Sequence, residues 1–145
     1  MNKLKTVVGI TPLKYRLGRP KFLIFGVTYN CNAKCKMCNI WKNQSKDELT
    51  LQEIDKFISE PFFDNLQHVN ITGGETSLRN DLEDIITHLL NRYGNQLVTL
   101  SVVSNGFLTD KIVKDAEYVL KNRKEDSTEF ITVFSLDGIG ALHDS

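Results

Sequence analysis

Four short runs rich in aromatic and β-branched residues recur along the chain: "KFLIFGVT" (21–28), "HVNIT" (68–72), "LVTLSVV" (97–103) and "EFITVFSL" (129–136). Between them lie segments with helical periodicity. "LTLQEIDKFISEPFF" carries the capping pattern Thr50-x-x-Glu53, an apolar face of Leu51, Ile54, Phe57 and Ile58, and Pro61 as its stop. "NDLEDIITHLLNRYG" carries Leu82, Ile85, Ile86, Leu89 and Tyr93, with Asn80 as the expected N-cap and Gly94 as the stop. "TDKIVKDAEYVLKN" carries Ile112, Val113, Ala116 and Val119 behind Thr109 as the expected cap. Strands alternating with amphipathic helices restrict the chain to right-handed βαβ units and a parallel sheet, an α/β fold. In such sheets the loops leaving the C-terminal strand ends share one rim, and sites form there.

That rim receives unusual segments. The first strand leads into "CNAKCKMC" (31–38), the second into "GGET" (73–76), the third into "SNG" (104–106) and the fourth into "SLDG" (135–138). Any one could be ordinary turn chemistry. Four polar, glycine-bearing ends together describe a site.

Cys31, Cys35 and Cys38 are the three cysteines of the 145 residues. A closed structural zinc site needs four ligands, and His68, His88 and His143 do not stand at zinc-knuckle spacing. An odd number of close cysteines makes a poor disulfide framework. Three thiolates in one loop suit an iron–sulfur cubane, which ordinarily takes one thiolate per iron. The vacancy on the fourth iron would then be where chemistry occurs.

Composition excludes little beyond this. With 18 basic and 18 acidic residues, the bulk charge points to neither nucleic acid nor a membrane surface. No apolar run approaches the ~20 residues of a membrane span, and no targeting signal is visible. A cytoplasmic location, where thiols stay reduced, is expected. Residues 1–20 form a basic N-terminal extension and 21–145 the core domain. Lys3, Lys5, Lys14, Arg16, Arg19 and Lys21 come without an acidic residue among them. A solvated arm is the plain reading, and docking on an acidic partner the alternative.

The C-x3-C-x2-C loop after a first strand, followed by Gly-Gly-Glu after a second, resembles the radical S-adenosylmethionine (radical SAM) superfamily. "SNG" and "SLDG" resemble its subgroup of molybdenum-cofactor cyclases and peptide-modifying maturases. The resemblance implies a partial TIM-type barrel of six units, of which this chain would be the N-terminal four strands of a longer enzyme. It implies that Cys31, Cys35 and Cys38 hold a [4Fe–4S] cluster whose fourth iron is chelated by S-adenosylmethionine. Met37 would pack near the adenine, a role compatible with packing in the core. Gly73, Gly74 and Glu75 would receive the methionine amino group, with Thr76 standing where many relatives carry proline. Ser104 and Asn105 would face the substrate or the methionine carboxylate, and Ser135 and Asp137 the ribose or carboxylate. Trp41 and His143 could line the mouth. The implied chemistry is reductive cleavage of S-adenosylmethionine and hydrogen abstraction from an unknown substrate, a peptide or a small molecule. An external low-potential electron donor of flavodoxin or ferredoxin type would be needed. Two other classes stay open: an iron–sulfur or zinc module without this chemistry, and an inactive truncated remnant.

Overall fold

The structure, a computed structural model, describes residues 18–43, 48–123 and 128–136. The elements follow in strict alternation: β1 (Phe22–Thr28), α1 (Leu51–Ile58), β2 (His68–Gly73), α2 (Leu82–Tyr93), β3 (Thr99–Ser104), α3 (Thr109–Asn122) and β4 (Glu129–Phe134). All neighbouring strands are parallel, in the spatial order β1-β2-β3-β4. A doubly wound sheet would reverse its order at a switch point; this one never does, so each crossover steps the same way. The result is α/β, four consecutive parallel strands and three helices of a partial TIM-type barrel wall.

The core lies between the sheet and its helices. Val69 and Ile71 of β2 and Leu100 and Val102 of β3 pack against Ile54 and Ile58 of α1, Leu82, Ile85, Ile86 and Leu89 of α2, and Val119 of α3. Each such side chain removed from water contributes about 1.5–3 kcal/mol. Tyr93 ends this layer, its hydroxyl donating to the Ile58 carbonyl, which joins α2 to the end of α1. Burial pushes its phenol above the ordinary range.

On the opposite face the same two strands are polar. His68 Nδ1 meets Thr99 Oγ1 at 2.9 Å, and Ser101 Oγ donates to Asn70 Oδ1 at 3.0 Å. Phe22 and Ile24 of one edge strand and Ile131 and Val133 of the other flank these pairs and are exposed.

The helix starts differ from expectation. Asp81, not Asn80, caps α2, and its carboxylate is held by Arg79 instead of a helix N–H. Thr109 is the first residue of α3, Leu108 is its cap, and the Thr109 hydroxyl donates to the Gly106 carbonyl. Val113, assigned to the apolar stripe, is half exposed, whereas Asp115 is buried at the sheet-facing side. Lys111 reaches both Asp115 oxygens, at 2.7 and 3.0 Å. Burial nevertheless dominates and raises the Asp115 carboxyl, against the lowering effect of Lys111. No helix among the described residues is long and apolar enough to cross a membrane.

Candidate functional site

The cysteine loop is anchored at its root. β1 slips register against β2 between Gly26 and Thr28, leaving Val27 outside the ladder. The orphaned Val27 carbonyl accepts from Arg79 Nη1 at 2.5 Å. Arg79 Nη2 donates to the Leu49 carbonyl at 2.6 Å, and Nε to Asp81 at 2.7 Å. Glu48 takes the Thr28 hydroxyl and, at 2.8 Å, the Asn30 side-chain amide. Beyond this root Cys31 is half-buried, Cys35 and Cys38 are exposed, and all three thiols are free. The Trp41 indole N–H donates to the Cys35 carbonyl at 3.4 Å, so Trp41 braces the loop.

The second segment packs directly on that root. Gly73 has φ +145°, which disfavours any other residue, and a Cβ there would fall onto the Thr28 carbonyl oxygen. A Cβ on Gly74 would strike the Asn30 carbonyl. The close approach these glycines permit is therefore to the backbone beneath the cysteine loop. Two hydrogen bonds seal it, Gly74 N to Thr28 O and Glu75 N to Asn30 O, each 2.7 Å.

Glu75 is fully buried. Its Oε1 accepts from Ser77 N at 3.1 Å, Ser77 Oγ at 2.5 Å and Ser104 Oγ at 2.7 Å, and its Oε2 from Asn105 N at 2.7 Å. Thr76 adds a tie from its hydroxyl to the Val103 carbonyl at 2.8 Å, a bond that a proline at this position could not make. The Asn105 side chain spans the rim, donating from Nδ2 to Asn32 Oδ1 at 2.8 Å. Ser135 N donates to the Ser104 carbonyl at 3.0 Å, joining the fourth strand end to the third.

Cys31, Cys35, Cys38, Gly73, Gly74, Glu75, Ser104, Asn105 and Ser135 thus lie on one rim. Met37 is 82 % exposed and does not pack in the core of the described residues. Asp137 and His143 lie outside the described residues. His68 and His88 belong elsewhere, His88 pairing with Asp55 at 2.8 Å on the helical surface. Sequence reasoning missed Thr28, Asn30, Asn32, Glu48 and Arg79. The available signal was Arg79-x-Asp81 directly after the Gly-Gly-Glu turn, a charge pair too close together for a helix face.

The donor set, three free thiols on one loop, suits an iron–sulfur cluster. Parallel (β/α) units with thiols and a buried carboxylate at the C-terminal strand ends are the build of a barrel-type α/β enzyme. The chain is a member of the radical SAM superfamily, whose family model matches residues 25–133.

Relatives agree. A probable GTP 3′,8-cyclase of Methanococcus aeolicus is 34% identical over 104 residues, covering 66% of this chain and 34% of that protein. The GTP 3′,8-cyclase of Helicobacter pylori is 32% identical over 100 residues, covering 65% and 30%. Both lie on the cyclase side of the subgroup the motifs resembled. The chain spans about a third of the length of these relatives. Among solved structures, BtrN in complex with AdoMet and 2-DOIA superposes with a TM-score of 0.56 at 18% identity, covering 86% of this chain and 48% of that one. That likeness shows the fold.

Proposed function

We propose that this chain is the cofactor-binding part of a radical SAM enzyme. Cys31, Cys35 and Cys38 would hold a [4Fe–4S] cluster, and the ledge of Gly73, Gly74 and Glu75 would place the methionine end of S-adenosylmethionine beside it. When bound, the pair supplies one-electron cleavage of the sulfonium and a radical able to take hydrogen from substrate. The protein's own part is placement: Asn105 holds the loop after β3 against the cysteine loop, and Met37, exposed on that loop, is free to cover the adenine. Ser135 and Asp137 are assigned to the cosubstrate's ribose or carboxylate.

One observation carries this reading. A three-thiol loop, two of its thiols exposed, is fastened by backbone to the Gly-Gly-Glu turn, and that turn to the next loop along the rim. The relatives' names make guanosine triphosphate the first substrate to test. Lys34, Lys36 and Lys42 give the cysteine loop a basic outer surface, suited to an acidic flavodoxin- or ferredoxin-type donor in the cytoplasm.

The test is anaerobic reconstitution followed by reduction with S-adenosylmethionine present. Formation of 5′-deoxyadenosine is expected from the wild-type protein and not from Cys35→Ala. One tightly held zinc without sulfide in anaerobically purified protein would overturn the reading.

A further inference from the structure

We infer that Glu48 closes the neck of the cysteine loop and is a positioning residue for its three thiols; the cluster they would hold rests on the function proposed above. Thr28 and Asn30 stand where the chain leaves β1, and Glu48 and Leu49 where it enters α1. Asn30 and Glu48 are 18 residues apart in the chain, yet Glu48 Oε1 accepts from Asn30 Nδ2 at 2.8 Å and also from the Thr28 hydroxyl. That hydroxyl in turn accepts from Asn30 N at 3.0 Å. Entry and exit of the loop therefore meet at one carboxylate oxygen. Arg79 closes the same neck from beneath, bonding the Val27 carbonyl on one side and the Leu49 carbonyl on the other.

Both flanks of the neck are fixed in their own right. On the entry side, the Thr28 and Asn30 carbonyls accept from Gly74 N and Glu75 N, each at 2.7 Å. On the exit side, Thr50 caps α1 through its box with Glu53. Within the loop, Cys35 and Cys38 are exposed, and among the described residues no three His, Cys, Asp or Glu are grouped closely enough to hold a metal ion. The thiols therefore have to converge when they take a ligand. Pinning the two ends of a loop lowers the entropy that such convergence costs. Glu48 supplies this pin without belonging to the core: 24 % of its side chain is exposed, against 5 % for Arg79. Removing it opens the neck and leaves the sheet in place.

Arsenite is the probe, because trivalent arsenic exchanges its three oxygens for three thiols, releasing three waters with no change of oxidation state. Ligand-free protein is titrated anaerobically, wild type beside variants. Glu48→Ala should lose affinity by about tenfold or more, the scale for removing a residue that orients ligands from outside. Glu48→Gln keeps an oxygen for Thr28 and Asn30 and should stay close to wild type. Two further readouts separate positioning from a merely structural role. Alkylation of Cys35 or Cys38 by iodoacetamide needs one thiol alone and should keep its rate in Glu48→Ala, since both are exposed already. The amides of β2 and β3 should keep their protection from exchange.

Unchanged arsenite affinity in Glu48→Ala would overturn the inference, as would equal losses in Glu48→Ala and Glu48→Gln. If Glu48→Ala loses the protection of β2 and β3, Asn30→Ala carries the test. That variant removes one side-chain amide from the neck and keeps the Asn30 carbonyl for Glu75 N. It must weaken arsenite binding too, and unchanged affinity there overturns the neck. Wild-type protein that binds no arsenite overturns it as well. Glu48-dependent arsenite binding by a protein that takes up no iron and sulfide supports the neck and sinks the cluster reading alone.

Discussion

Arg79 has every guanidinium nitrogen engaged inside the protein, on two carbonyls and a carboxylate, with 5 % of its side chain exposed. Lysine offers the charge but not the planar fork, so it cannot serve Val27, Leu49 and Asp81 together. Arg79→Lys should cost on the order of 3 kcal/mol in chemical denaturation, because it leaves buried acceptors unmet. The Arg79 hydrogen bond holds the Asp81 carboxyl below its usual range. A carboxyl with a lowered folded pKa contributes stability above its unfolded pKa and loses it as pH falls through the folded value. Acid titration of stability should therefore show a loss beginning at the ordinary carboxylate range, and Asp81→Asn should flatten it. At this scale the sequence was least informative. Glu75 was legible as a site residue from its motif. That its oxygens would accept from Ser77, Ser104 and Asn105 depends on register between strands, which no local pattern encodes.

The start of α1 was fully legible, because the Thr50–Glu53 box is local: Glu53 N donates to Thr50 Oγ1 at 3.3 Å, and Thr50 N to Glu53 Oε2 at 2.8 Å. Thr50→Ala should destabilise by about 1 kcal/mol, read as a shift in the denaturation midpoint. The starts of α2 and α3 misled because Asp81 and Thr109 give their side chains to other partners, Arg79 and the Gly106 carbonyl. Asp115 lies among apolar residues that periodicity alone would have chosen differently, and it is accommodated by Lys111 one turn earlier. The cysteine loop makes a separate prediction. Lys34, Lys36 and Lys42 are exposed, and positions 30–43 contain no acidic residue. Changing all three to Glu should slow reduction by an acidic flavodoxin on the order of tenfold at low salt, with the difference shrinking as ionic strength rises. Photoreduction by a small neutral deazaflavin is the control that should not change. Equal rates for mutant and wild type with flavodoxin at low salt would move the docking surface elsewhere.

For the molecule as a whole, the parallel α/β wall followed from alternation and the barrel arrangement from the resemblance, and the sheet order β1-β2-β3-β4 agrees with both. The rim was legible as four converging strand ends, but the bonds that tie those ends together were not. Reconstituted protein should carry about four irons and four sulfides, and alanine at Cys31, Cys35 or Cys38 should abolish the cluster by iron and sulfide assay. The ties between the three rim loops run through Thr28, Asn30, Asn32, Glu75, Ser104 and Asn105, using backbone, hydroxyl, amide and carboxylate groups and no sulfur atom. This bears on manufacture. A scaffold fastened without its thiols can fold with Cys35 and Cys38 facing outward and still open to a ligand. Under the proposed function, folding and cluster loading would then be two separable stages, and apoprotein made without iron should be as folded as the reconstituted protein by far-UV circular dichroism.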